Sequence, residues 1–258
     1  MQTDAVTDLA DRIIRRYCTS KDRPLRVLDF GCGDGTLVRN LAAIGYDAYG
    51  CDLKSRWLEG AGDPSRLKVI THQPYRLPYA ADSFDVVFST SVFEHVRDKN
   101  AGLNEIYRVL RPGGYAMHLF PSKWYLPQEP HIRVPLLNFW QPYCPASWIA
   151  FWAWLGVRSR TQRELPWREV MERNIKYCRE GLSYWSLRKY RNVSLHVFGD
   201  FSSPMDWFVG VAPGGSAHLL RRLFPPAVAG WLMGQFRTRL IVQRKLSGYV
   251  STEHKNRP

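Results

Sequence analysis

An α/β domain built on a doubly wound, mostly parallel sheet is what the first 120 residues of this 258-residue chain predict. Three observations carry that expectation. Short apolar runs alternate with segments of helical period, a glycine-rich turn follows the first run directly, and a carboxylate closes the second. Strand and helix in that rhythm set parallel strands side by side with helices on both faces, because each crossover returns over the sheet.

Ahead of the sheet, Val6, Leu9, Ile13, Ile14 and Tyr17 recur at helical spacing and read as an amphipathic helix packed on the domain. RVLDF, residues 26–30, is the first strand. Residues 36–44 read as a helix stopped by Gly45. Residues 47–51 form a second strand closed by Asp52; a short helix at 54–59 and a strand at 67–71 follow. FDVVFS, residues 84–89, is the fourth strand. Leu103, Ile106, Tyr107 and Leu110 fall at i, i+3, i+4 and i+7 of a helix over 100–110, and RPGG turns the chain into a fifth strand at 115–120. Beyond it the rhythm breaks. Residues 121–190, rich in Pro, Trp and Arg, read as an aromatic-rich insertion, with strands expected again at 193–198 and 238–243. The chain shows no repeat and no linker, so residues 1–258 are expected as one domain: 1–120, the insertion 121–190, and C-terminal strands and a helix in 191–258.

Composition bounds the function. With 45% apolar and 23% charged residues, wholesale disorder is excluded. The net charge of +13 is uneven: residues 1–157 carry 18 basic and 16 acidic side chains, residues 158–258 carry 18 and 7. That asymmetry points to a polyanionic partner for the second half, nucleic acid or an anionic membrane surface. The five cysteines lack paired spacing, so neither a disulfide framework nor a zinc site is legible, no metal is expected, and a reducing compartment is the default. The first residues mix acids and arginines without an apolar core, so a cytoplasmic location is expected. Residues 136–157 carry no charge, but Pro142 and Pro145 interrupt them, and the apolar run 148–155 is too short to cross a bilayer.

The densest chemistry lies in VLDFGCGDG, residues 27–35. Gly31, Gly33 and Gly35 allow positive φ and let backbone N–H groups approach a ligand. Asp29 ends its strand where a carboxylate faces a bound cation. Asp52 ends strand two, placed to accept from both hydroxyls of a ribose. These residues resemble the class I S-adenosylmethionine-dependent methyltransferases, the group that includes quinone, sterol, small-molecule and glycan methyltransferases. VLDFGCGDG looks like that family's first motif, YGCDL carries its acidic residue after strand two, and LPYAADSFDVVFSTSVFEHV and EIYRVLRPGGYAMHLFPS look like its later segments. The likeness spans roughly residues 20–125.

The resemblance implies a Rossmann-like, seven-stranded sheet and S-adenosyl-L-methionine as cofactor. Asp29, Gly31 and Gly33 would line its methionine part, with Gly35 in the same turn; Asp52 would hold the ribose, Leu53 would lie beside the adenine and Ser89 would border the sulfonium. Relatives often place an Asp before the LP pair, where this chain has Gln73, whose carbonyl would serve the adenine. Methyl transfer to a hydroxyl needs a base, and His131, His95 and Glu94 stand near the expected mouth. His118, inside a strand, reads as a satisfied core residue.

In this family the region after strand five often shapes the acceptor pocket. Here Trp148, Phe151, Trp152, Trp154 and Leu155 are followed by Arg158, Arg160 and Arg163, a mixture suited to a membrane interface. The leading expectation is therefore O-methylation of a hydroxyl on a lipid-linked or glycan acceptor. Peripheral contact through residues 140–240 would hold the chain at the inner face of the membrane. The alternatives are C-methylation of a quinone-like isoprenoid ring and RNA methylation. Against nucleic acid, STSV stands where base-amino methyltransferases carry an (N/D)PP(Y/F) motif, and no nucleophilic cysteine lies near strand four.

Overall fold

The computed structural model describes residues 4–20, 22–55, 63–71, 75–140 and 143–248. The helix expected at 54–59 and Gln73 lie outside or mostly outside them. Helix α1 (Ala5–Tyr17) is capped by Asp4, whose side chain accepts from Val6 and Thr7 N–H. It buries Leu9, Ala10, Ile13 and Ile14, but Val6 faces solvent. Then come β1 (Arg26–Phe30), α2 (Thr36–Ala43), β2 (Asp47–Asp52), β3 (Leu67–Val69), β4 (Phe84–Thr90), α3 (Lys99–Val109) and β5 (Leu110–Pro121).

Six strands, not seven, form the sheet among the described residues, in the order β3-β2-β1-β4-β5-β6. The first five are mutually parallel; β6 (Thr238–Arg244) closes the edge antiparallel to β5. The missing strand is 193–198, which belongs to α7 (Leu187–Phe198). There Tyr190, Ser194, Val197 and Phe198 are buried at i, i+4, i+7 and i+8. Ser186 caps the start and Gly199, at φ +69°, ends it, so local chemistry at both ends favours the helix. The C-terminal part therefore holds one strand and several helices.

Alternation along the buried strands separates two cores. Val27, Val86, Phe88 and Met117 face α1, α2 and the C-terminal helices. Leu28, Val87, Phe30 and Ala116 face α3 and α7. The insertion adds α4 (Leu137–Trp140), α5 (Ala146–Trp154) and α6 (Trp167–Lys176), continued by a π-helical turn at Tyr177–Gly181. These elements make a third small core of Ile132, Val134, Leu137, Cys144, Ile149 and Cys178. No helix among the described residues is long and apolar enough to cross a membrane.

Next come α8 (Met205–Val211), α9 (Gly215–Leu223) and α10 (Pro226–Phe236). Where α10 crosses α8, a Cβ on Gly230 would lie 2.5 Å from the backbone of Met205 and Asp206. Backbone cannot rotate away as a side chain can. Gly230→Ala is expected to cost ~1–3 kcal/mol, lowering Tm by several degrees. At Gly234 the neighbour is the flexible Met205 side chain, at 3.0 Å, so Gly234→Ala is expected to lower Tm less. Thermal unfolding of the two variants checks the order.

Candidate active site

The glycine turn sits at the carboxyl end of β1, beside β2 and β4. Gly31, at φ +83°, packs so tightly that a Cβ would lie 2.3 Å from Val92 Cγ2. Its N–H and that of Cys32 both donate to Cys51 O, at 2.8 and 3.0 Å, tying the turn to β2. Gly33, at φ +56°, has open space where its Cβ would be, and Gly35 takes φ +81° at the start of α2. Asp52 braces the turn: Oδ2 accepts from Gly33 N–H at 2.9 Å and Oδ1 from Lys54 N–H at 3.2 Å.

Two hollows flank this turn. One, of about 500 Å³, is lined by Asp29, Gly31, Gly33, Asp34 and Thr90, with Asp4 and Val6 from the start of α1. The other, of about 480 Å³, is walled by Phe30, Leu53, Ile70 and Tyr75, with Asp52, Ser91, His95 and His131 at its polar side. Burial pushes the Asp29 carboxyl up to about 7, and the nearby charges of Asp52 and Asp34 add to the rise. An ammonium group in the first hollow would relieve that. The second pairs apolar walls with the Asp52 carboxylate, as an adenosine requires. These residues fit a nucleoside that carries an amino acid, such as S-adenosylmethionine.

Ser89 stands elsewhere. It is 1% exposed, its Oγ hydrogen-bonded to His118 Nδ1 at 2.8 Å, so it packs behind the site and lines neither hollow. The residues after it, Thr90 and Ser91, reach the hollows instead, and Ser91 takes φ +54° as the chain leaves β4. His118 is buried, and burial drives it down to about 3, so it is neutral. Its Nε2 has no hydrogen-bond partner among the described residues.

The three candidate bases meet. Glu94 and His95 follow β4, and the loop after β5 brings in His131. His131 Nε2 stands 3.7 Å from Glu94 Oε1 and His95 Nε2 stands 4.0 Å from it. Each imidazole is fixed from behind. His131 Nδ1 lies 2.7 Å from Glu129 Oε1, and His95 Nδ1 2.7 Å from Gly181 O at the end of the π-helical turn. Glu129, buried, also accepts from His131 N–H, Ile132 N–H and Tyr184 O–H, which locks it in place. Glu94 is fully buried, and neither of its oxygens has a hydrogen-bond partner among the described residues.

Electrostatics follow from these contacts. Burial pushes Glu94 up to about 7. Burial lowers His95, only partly offset by the Gly181 carbonyl. Burial works against a cationic His131 as well, but the hydrogen bond and charge of Glu129, with the charge of Glu94, hold it above the ordinary imidazole value. Tyr177 and Tyr184, which sequence reading missed, close the cluster from the insertion. Tyr177 packs on both histidines, with ring centroids 6.0 and 5.8 Å away. Lys99, buried under the same loop, bonds to Val96 O and Ser183 O and so joins the insertion to the segment after β4.

Comparison with known proteins agrees with this geometry. Residues 28–118 match the family described as a methyltransferase domain. A demethylmenaquinone methyltransferase of Beutenbergia cavernae is 39% identical over 90 residues, 34% of this chain and 38% of that protein. A ubiquinone biosynthesis O-methyltransferase of Rhizobium rhizogenes is 34% identical over 97 residues, 35% of this chain and 38% of the relative. The chain thus spans little more than a third of the length of each of these two relatives. The fold extends further: an S-adenosylmethionine-dependent methyltransferase of Mesorhizobium loti superposes with a TM-score of 0.53 at 16% identity, covering 92% of this chain and 99% of that one.

Proposed function

We propose that this chain transfers the methyl group of S-adenosylmethionine to a ring hydroxyl of a quinone-like isoprenoid. The observation that carries the reading is His131, held from behind by Glu129 and opening on the same hollow as Asp52 and Leu53. When bound, S-adenosylmethionine supplies an electrophilic methyl on a cationic sulfur. The protein's part is to align the acceptor, exclude water and take one proton. With Nδ1–H directed to Glu129, His131 offers Nε2 to a phenolic hydroxyl. A base suits O-methylation, and the names of the matched relatives favour a quinone acceptor over the glycan expected from the aromatic and arginine content.

The test is incubation with labelled cofactor and, separately, hydroxylated isoprenoid quinone precursors, glycolipids, soluble sugars and RNA. Label in the quinone fraction is expected; label confined to glycolipid or RNA would overturn the reading. A hydrophobic acceptor also gives the exposed apolar faces a use. Phe151, Trp154 and Leu155 on α5, and Leu219, Leu223 and Trp231 on α9 and α10, are all exposed. Such faces beside arginines suit the headgroup layer of an anionic membrane. Co-sedimentation with anionic vesicles is expected at low salt and should fall when Trp154 and Trp231 are both changed to Ser; no sedimentation would remove the membrane contact.

A further inference from the structure

We propose that Glu94, His95 and His131 form a binding site for one divalent transition-metal ion, Zn²⁺ in character, on the acceptor side of the cavity. The argument starts from lone pairs. A neutral imidazole has one N–H and one bare nitrogen. His131 spends its Nδ1–H on Glu129 and His95 spends its own on the Gly181 carbonyl. Both bare Nε2 atoms therefore turn toward Glu94, a fully buried carboxylate with no hydrogen-bond donor on either oxygen among the described residues. With both rings neutral and Glu94 ionised, three acceptors converge with no donor between them. A cation at their centre satisfies all three.

The donor set and its support fit. One donor atom from each residue lies within 4.8 Å of the others. Ligands at metal–ligand distances of 2.0–2.1 Å and tetrahedral angles are about 3.3 Å apart, so a small inward rotation of the rings completes the coordination. Two imidazoles and a carboxylate are the ligand types of catalytic zinc sites, which leave a fourth position for water or substrate. Metal-ligating histidines donate their other N–H to a carboxylate or a carbonyl, as both do here. His95 and His131 line the 480 Å³ hollow, so the open position faces the space where an acceptor would lie.

The site also bears on the chemistry. A cation there takes up both Nε2 lone pairs, so in the metal-bound protein His131 acts as a ligand in place of a base, and the ion favours the ionised form of an acceptor hydroxyl at the open position, whose proton passes to solvent. That role rests on the proposed function; ion binding rests on the side chains alone. The two are tested separately. Chelator-stripped protein is titrated with Co²⁺, followed by its visible absorption, and with Zn²⁺ in calorimetry; S-adenosylmethionine affinity is measured in parallel.

One tight equivalent is expected for the wild type and for His218→Ala, which removes an exposed histidine elsewhere. Affinity should fall at least about 100-fold in Glu94→Gln and His131→Ala, and about 10–100-fold in Glu129→Gln, which disturbs only the support. Retained S-adenosylmethionine affinity shows that each variant is folded. No binding to the wild type, or binding in Glu94→Gln and His131→Ala equal to it, would overturn the site. Cobalt binding without methyl transfer to any ring hydroxyl would leave the site standing and remove the proposed function. Turnover by chelated protein without metal binding would do the reverse and leave His131 as a metal-free base.

Discussion

Asp52→Ala is expected to weaken S-adenosylmethionine binding by roughly 100- to 10,000-fold, the loss of two hydrogen bonds to a charged acceptor at ~1.5–3 kcal/mol each. The carboxylate ends β2 at the edge of the apolar hollow, where two ribose hydroxyls would meet its two oxygens. It also accepts from Gly33 N–H, so the Ala variant loses a brace of the glycine turn along with the ligand contact. Asp52→Asn separates the two effects, because an amide oxygen can still accept from Gly33 while the charge and one acceptor are gone. If the ribose contact dominates, Asn should bind nearly as poorly as Ala, with thermal stability close to wild type. Calorimetric titration of both variants decides it. Wild-type affinity in Asp52→Ala would break the assignment of this hollow to the cofactor.

Asp52 is legible in the sequence, and the convergence of Glu94, His95 and His131 is not, for a reason of sequence distance. The glycine turn and the strand-end carboxylates are local devices. A strand must end, a turn must take positive φ, and the residues that permit this stand next to one another at 29–35 and 52. Their partners are set by parallel pairing of neighbouring strands, which the alternating rhythm already implied. Glu94, His95 and His131 could each be named as a base, but their convergence depends on the loop after β5 folding back onto the segment after β4. That return is held by Lys99 on Ser183, His95 on Gly181 and Tyr184 on Glu129, contacts between residues more than 50 positions apart in an insertion without period.

The same cause explains the other departures. At 193–198, the helical spacing becomes evident only once Tyr190 joins the buried stripe. Ser89 alternates inward, as every second strand residue does, so the site passes to the two residues beyond it. Part of the basic charge of the second half is engaged by backbone carbonyls. Arg158 is turned onto the carbonyls of Arg163 and Leu165, Arg221 onto those of Val209 and Gly210, and Arg237 onto Leu126. Arg239 is buried, donating to Gly234 O. These guanidiniums cap backbone carbonyls, Arg239 inside the fold and Arg221 at the exposed surface.

His131→Ala is expected to lower kcat by roughly 100- to 10,000-fold while leaving S-adenosylmethionine affinity within about twofold of wild type, the range that removal of a positioned proton acceptor produces. The split follows from placement. His131 lines the same hollow as the glycine turn but bonds to Glu129, not to any residue that braces the cofactor side. Glu129→Gln keeps an oxygen for the Nδ1–H but removes the charge that favours a proton on the ring, so its loss should be smaller. Because Glu129 acts through His131, the double variant should be no slower than His131→Ala alone; groups that act as a unit are not additive. Additive losses would mean that Glu129 reaches the acceptor by itself. Equal turnover in wild type and His131→Ala would move proton transfer to His95, the other imidazole facing Glu94.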